Sequence, residues 1–147
     1  MSRSASSDIR FLREIDVLRC IQSLIDSGWR ADDEGKMVYL PPGDKDDFNW
    51  TSAQNESWAD VSAIIQDKTR NSELVGIVLT WKDSQVGGEV LFFPEKLHFS
   101  ILLSKNRKAL PSCNGFSDYS WYLSALLPSF IAAECSIESI LCEDFAG

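Results

Sequence analysis

Residues Leu74–Ser104 read LVGIVLTWKDSQVGGEVLFFPEKLHFSILLS, and their two-residue rhythm decides the fold class. Val75, Ile77, Leu79 and Trp81 alternate with Gly76, Val78, Thr80 and Lys82, the pattern of a strand with one buried face. Asp83 to Gly88 supplies turn chemistry, Glu89 to Phe93 resumes as a strand, and Pro94-Glu95-Lys96 makes the next turn. Leu97, Phe99, Ile101 and Leu103 then alternate with His98, Ser100 and Ser104. Three sequential strands on short links form an antiparallel meander, because parallel neighbours would need a much longer crossover.

On either side of the meander the period changes to that of helices. Leu12, Ile15, Leu18, Ile21 and Ile25 recur at three- and four-residue steps, which predicts a helix from about Ser7 to Ser27. Ser7 is its expected N-cap, and Gly28 stands where a left-handed C-terminal cap belongs. Met37 to Leu40 reads as a short strand stopped by Pro41-Pro42-Gly43, and Gly43 to Asn55 as a long acidic surface loop. Phe48 and Trp50 interrupt that loop, either to pin it to the core or to meet a partner. Asn55 is the expected cap of a second helix, about Glu56 to Asn71, with Trp58, Val61, Ile64 and Ile65 inward. Lys68 and Arg70 near its end suit the negative pole of the helix dipole.

Asn106 to Gly115 reads as a loop, and Ser117 or Asp118 as the cap of a third helix holding Trp121, Tyr122, Leu123, Leu126 and Leu127. Pro128 is expected to end or kink it, and Ile137 to Cys142 to close the chain as a strand beside the meander. The expected architecture is α+β: an antiparallel sheet, meander plus C-terminal strand, with flanking helices in two layers. The length of 147 residues suits one domain, residues 1–147, with a frayed Ser-rich tail at 1–6.

The net charge of −8 is unevenly distributed. Residues 31–60 carry Asp32, Asp33, Glu34, Asp44, Asp46, Asp47, Glu56 and Asp60 against Lys36 and Lys45; residues 111–147 carry five acids and neither Lys nor Arg. Such a field repels nucleic acid and anionic membranes and speeds encounter with a basic protein, or else serves only to keep the surface solvated. No apolar run approaches the roughly 20 residues that span a bilayer, and Met1–Ser7 lacks the apolar stretch of a secretory signal. The expectation is a cytoplasmic protein.

Groups suited to catalysis are few. Cys20, Cys113, Cys135 and Cys142 are scattered without a C-x-x-C pair, and read as small hydrophobes in a reducing compartment. His98 is the one histidine. A pair with Cys113 would make a nucleophile and base, the basis of a rival reading as a small enzyme. Asp44-Lys45-Asp46-Asp47 lacks the register and the twelfth-position glutamate of a calcium loop. Gly87-Gly88 precedes a strand, where a phosphate cradle would precede a helix. Lys105, Arg107 and Lys108 lack the aromatic interleaving of a nucleic-acid site. No catalytic residue, metal or cofactor is therefore expected.

Gly28-Trp29, Tyr39-Leu40-Pro41, Phe48-Asn49-Trp50 in its acidic loop, the Gly76–Trp81 strand and Asp118-Tyr119-Ser120-Trp121-Tyr122 carry a resemblance. Together with size and acidity, they make the chain resemble the small immunity proteins of bacterial contact-dependent inhibition and related polymorphic toxin systems. The resemblance implies cytosolic inhibition of a cognate toxin domain, frequently a nuclease, whose phosphate-binding site is basic. Charge selects the expected interface: Asp32, Asp33, Asp44, Asp46, Asp47 and Trp50, with Glu138, Glu143 and Asp144 as a second-choice patch. The alternative is a non-catalytic adaptor or oligomeric structural subunit that uses its aromatic faces for assembly.

Overall fold

A computed structural model describes residues 4–53 and 56–145. In chain order the elements are β1 (Ser4–Phe11), α1 (Val17–Ser27), β2 (Trp29–Arg30), β3 (Met37–Tyr39), β4 (Thr51–Ala53), α2 (Trp58–Arg70) and β5 (Val75–Trp81). They continue with β6 (Val86–Phe92), β7 (His98–Lys105), β8 (Ala109–Leu110), a 3-10 turn at Pro111–Cys113, β9 (Phe116–Ser117), α3 (Tyr119–Ala132) and β10 (Ile137–Phe145). An eight-stranded sheet runs β10-β1-β7-β6-β5-β3-β4, with β2 also on β5, and every pairing is antiparallel. The α+β class stands, with three helices packed on the sheet.

The meander forms where the alternation places it. Ile77 pairs with Val90 and Val90 with Ile101, so same-face residues stack across three strands. Ile9, Phe11, Ile77, Leu79, Val90, Phe92, Phe99 and Ile101 face one core with Ile21 and Leu24 of α1, Val61 and Ile65 of α2, and Tyr122, Leu126 and Phe130 of α3. The glycine pair belongs to β6 itself rather than to a turn. At Gly88 the β6–β7 register shifts, and a Cβ there would lie 1.6 Å from the Leu102 carbonyl oxygen. Only glycine lets the two backbones approach so closely.

Several expectations fail, each for a tertiary reason. The helix expected from Ser7 divides into β1 and a shorter α1 capped by Asp16, whose side chain accepts from the Arg19 amide. Within β1, Ala5, Ser7, Ile9 and Phe11 are buried while Ser4 and Arg10 are exposed, a two-residue period that its serines and aspartate disguise. Of the frayed tail expected at 1–6, Ser4–Ser6 are strand residues paired with β10; residues 1–3 lie outside the described residues. β10 accordingly pairs with β1, and β1 rather than β10 adjoins the meander. Gly28 caps α1 as expected, with φ 129°.

The acidic segment is no unbroken loop, since Thr51–Ala53 pairs with β3. The cap expected at Asn55 lies outside the described residues. α2 starts at a capping box, in which Ser57 accepts from the Asp60 amide and the Asp60 carboxylate accepts from the Ser57 amide. Pro128 does not end α3, which runs on to Ala132. The acceptor freed by its missing N–H is the carbonyl of exposed Ser124, where water can reach.

Candidate binding surface

The charged acidic segment acquires its shape from one buried cation. Val61, Ile65 and Lys68 lie on one face of α2, and that face turns Lys68 inward with 1% of its side chain exposed. Its Nζ donates to the Pro41 carbonyl at 2.6 Å, to the Asp44 carbonyl at 2.9 Å and to Glu73 Oε1 at 3.2 Å. Glu73 Oε1 also accepts from the Gly43 amide at 2.7 Å. A charge this deep requires such pairing, because an unpartnered one would carry the full desolvation cost.

The loop then closes on itself around Asp44, which is 5% exposed. Asp44 Oδ1 accepts from the amides of Asp47 at 3.0 Å and Phe48 at 3.1 Å, and Oδ2 from the Asn49 amide at 2.7 Å. Phe48 takes φ 55°, a left-handed conformation that the three convergent amides hold in place. Trp50 lies over the sheet: a Cβ added to Gly76 would meet its ring at 2.9 Å and Leu40 at 2.7 Å. Of the two readings left open for the loop aromatics, Trp50 is the pin. Phe48 is 46% exposed, and with exposed Asp46 and Asp47 it forms the loop's outer tip.

The expected interface residues therefore do not share one role. Asp46 and Asp47 are surface groups; Asp44 is buried and braces the loop from within. Asp32 accepts from the Gly35 amide at 3.0 Å and from Gln85 Nε2 at 3.2 Å, while its carbonyl accepts from Thr80 Oγ1 at 2.7 Å. Asp33 pairs with Lys105 at 3.1 Å. Both fix the β2–β3 turn at the Trp81 end of β5, whereas Leu40 and Trp50 pack at Gly76 near the other end, roughly 15 Å along the strand.

The second-choice patch sits on the opposite edge of the sheet. Glu138 is exposed beside the bulge in the β1–β10 register. The Glu143 carbonyl accepts from the Tyr119 hydroxyl, and Asp144 Oδ2 accepts from the Ser117 amide at 2.6 Å, so these two residues tie β10 to the start of α3 and to β9. Lys68, Glu73 and Phe48 escaped the charge-based selection. The signal for Lys68 was its place in the Val61–Ile65 stripe, where an apolar residue belongs.

Two of the tryptophans available as interface anchors, Trp81 and Trp121, are engaged in packing with Trp29. Trp29, Trp81 and Trp121 meet edge-to-face with centroids 5.4, 6.1 and 6.4 Å apart, and Trp29 Nε1 donates to the Ala125 carbonyl at 2.9 Å. His98 Nε2 lies 2.7 Å from Asp8 Oδ1, and the ring stacks on Phe93 at 4.4 Å. His98 opens β7, and Cys113 lies in the 3-10 turn beyond that strand's far end, so the fold does not unite them. Among the described residues, no group of three His, Cys, Asp or Glu side chains is placed to hold a metal ion. No described helix is long and apolar enough to cross a membrane.

No protein-family model, curated protein or solved structure matches the chain.

Proposed function

We propose that the chain is a non-catalytic binding protein: the immunity partner of a bacterial toxin, neutralising a basic toxin domain such as a nuclease. The tip Asp46-Asp47-Phe48 carries the contact. The observation behind this reading is a loop braced from within by Asp44 and from beneath by Lys68, while two acids and an aromatic ring remain exposed. A pre-shaped loop loses little conformational entropy on binding. The carboxylates steer a basic partner inward, and a desolvated aromatic ring among charges suits an interface hot spot.

The test pairs this protein with the toxin domain encoded beside it. Stopped-flow association at low salt should be slowed about tenfold or more by D46K/D47K, and F48A should accelerate dissociation, with native circular dichroism in both variants. An unchanged association rate would remove the loop from the interface. Failure of the unaltered protein to bind or protect against that toxin would sink the functional reading itself.

One observation favours the adaptor alternative. β10 is an edge strand with Ile140, Leu141 and Phe145 exposed, a surface open to assembly through strand addition. A concentration-dependent oligomer lost on L141K would support it.

A further inference from the structure

The fold brings together two thiols that the sequence holds 115 positions apart. Cys20 of α1 and Cys135, in the turn between α3 and β10, have their sulfurs 3.4 Å apart. Cys20 is 1% exposed, whereas Cys135 is half-buried and borders a surface cleft with Arg13, Asp16, Arg19 and Glu134. Both backbones are fixed: the Cys20 amide donates to the Asp16 carbonyl at 3.0 Å, and the Cys135 amide to the Phe130 carbonyl at 2.9 Å. Ser23 Oγ donates to the Ser129 carbonyl at 2.7 Å and so ties α1 to α3 nearby. The other two thiols are placed differently. Cys113 is exposed, and Cys142 Sγ lies 3.5 Å from Ser7 Oγ.

We propose that Cys20 and Cys135 form a thiol–disulfide exchange site, at which a low-molecular-weight disulfide oxidises the pair to an intramolecular bond stapling α1 to the α3–β10 turn. The inference is independent of the toxin-binding reading. A disulfide needs sulfurs about 2.0 Å apart, so closure asks for about 1.4 Å of movement, within reach of a small side-chain rotation in the turn.

Access sets the order of events. Cys135 reaches the cleft first, and its thiolate attacks one sulfur of the incoming disulfide, whose S–S electron pair departs on the other sulfur. Cys20 then gives up its proton and attacks Cys135 Sγ, expelling the second small thiolate. The protein loses two electrons, the small disulfide gains them, and the released protons leave with its two thiols. The S–H···S hydrogen bond, aided by Arg19, holds Cys135 below the usual thiol range; the same bond and then burial push Cys20 up. That difference agrees with Cys135 as the attacking sulfur.

The experiment incubates the reduced full-length protein with oxidised glutathione, quenches by alkylation and maps the peptides. A Cys20–Cys135 cross-link is expected, with neither Cys113 nor Cys142 in it. The melting temperature should rise by roughly 5–15 °C, reversibly with dithiothreitol, because the bond closes a loop of over a hundred residues. C20S should stop at a glutathione adduct on Cys135, and C135S should leave Cys20 unmodified. Glutathione on Cys113 while Cys20 and Cys135 both remain alkylatable would overturn the proposal, as would a cross-link through other cysteines. Because the cross-link map and both overturning results are read on the unaltered protein, a variant that fails to fold does not blur the result.

Discussion

Lys68 places a positive charge where 1% of its side chain meets solvent, and its worth lies in the three acceptors that its Nζ joins. Removing it would leave the Glu73 carboxylate 11% exposed without its cation and take the Lys68 donor from the Asp44 carbonyl, while the Pro41 carbonyl would keep only the Asp44 amide. K68A should therefore cost about 3–5 kcal/mol in urea denaturation, far more than an ordinary helix-surface substitution. The 43–50 loop should become a protease-sensitive site in the same variant. A loss within a few tenths of a kcal/mol would mean that the buried pair is dispensable. Charge counting marks Asp44 as a surface acid; its three amide donors make it an internal acceptor instead, and no property of the residue in isolation distinguishes the two.

At the scale of elements, β1 and β10 show how placement overrides local pattern. β1 has a hydrogen-bonded neighbour on each side, whereas β10 ends the sheet. Amide hydrogen exchange should accordingly be slow along the whole of β1 and alternate along β10, fast at the amides that point away from β1. Uniformly slow exchange along β10 at low protein concentration would contradict the strand order. The first eight described residues are hard to read because SASSDIRF contains few strong strand formers, and Leu12 to Ile25 offers a competing helical stripe. Leu12, which helped to suggest that stripe, is 63% exposed. The meander was legible because each of its strands carries its own alternation and its neighbour lies a turn away.

Across the whole molecule, every tyrosine is tied into the join between layers. The Tyr39 hydroxyl donates to Glu56 at 2.8 Å, Tyr122 accepts from the Lys108 amide at 2.9 Å, and Tyr119 donates to the Glu143 carbonyl. Burial, reinforced by Glu56 and by Asp144 respectively, pushes Tyr39 and Tyr119 up to about 12; burial also raises Tyr122. Between about pH 10 and 12 the unfolded chain releases these protons while the folded one keeps them. Their contribution to stability is thus complete below about pH 10 and lost as pH rises toward 12. Phenolate absorbance of the native protein should lag the ordinary tyrosine curve, and Y39F and Y119F should flatten the alkaline fall in stability. A native spectrum titrating at the ordinary midpoint would refute the linkage.

From the sequence by itself came the α+β class, the meander, the Gly28 cap, an inward face for α2 and the uneven negative charge. These are local properties, written in the spacing of apolar residues and in the residue types themselves. Only the tertiary structure decided that Ser4–Phe11 is a strand between β10 and β7, that Asp44 faces inward and Phe48 outward, and that Cys20 meets Cys135. The strand pairings and the Cys20–Cys135 contact depend on neighbours far along the chain, whereas Asp44 turns inward on amides three to five residues on, in a loop seated on Lys68. Whether a polar group is a surface contact or an internal brace is set by which donors and acceptors the folded chain brings beside it.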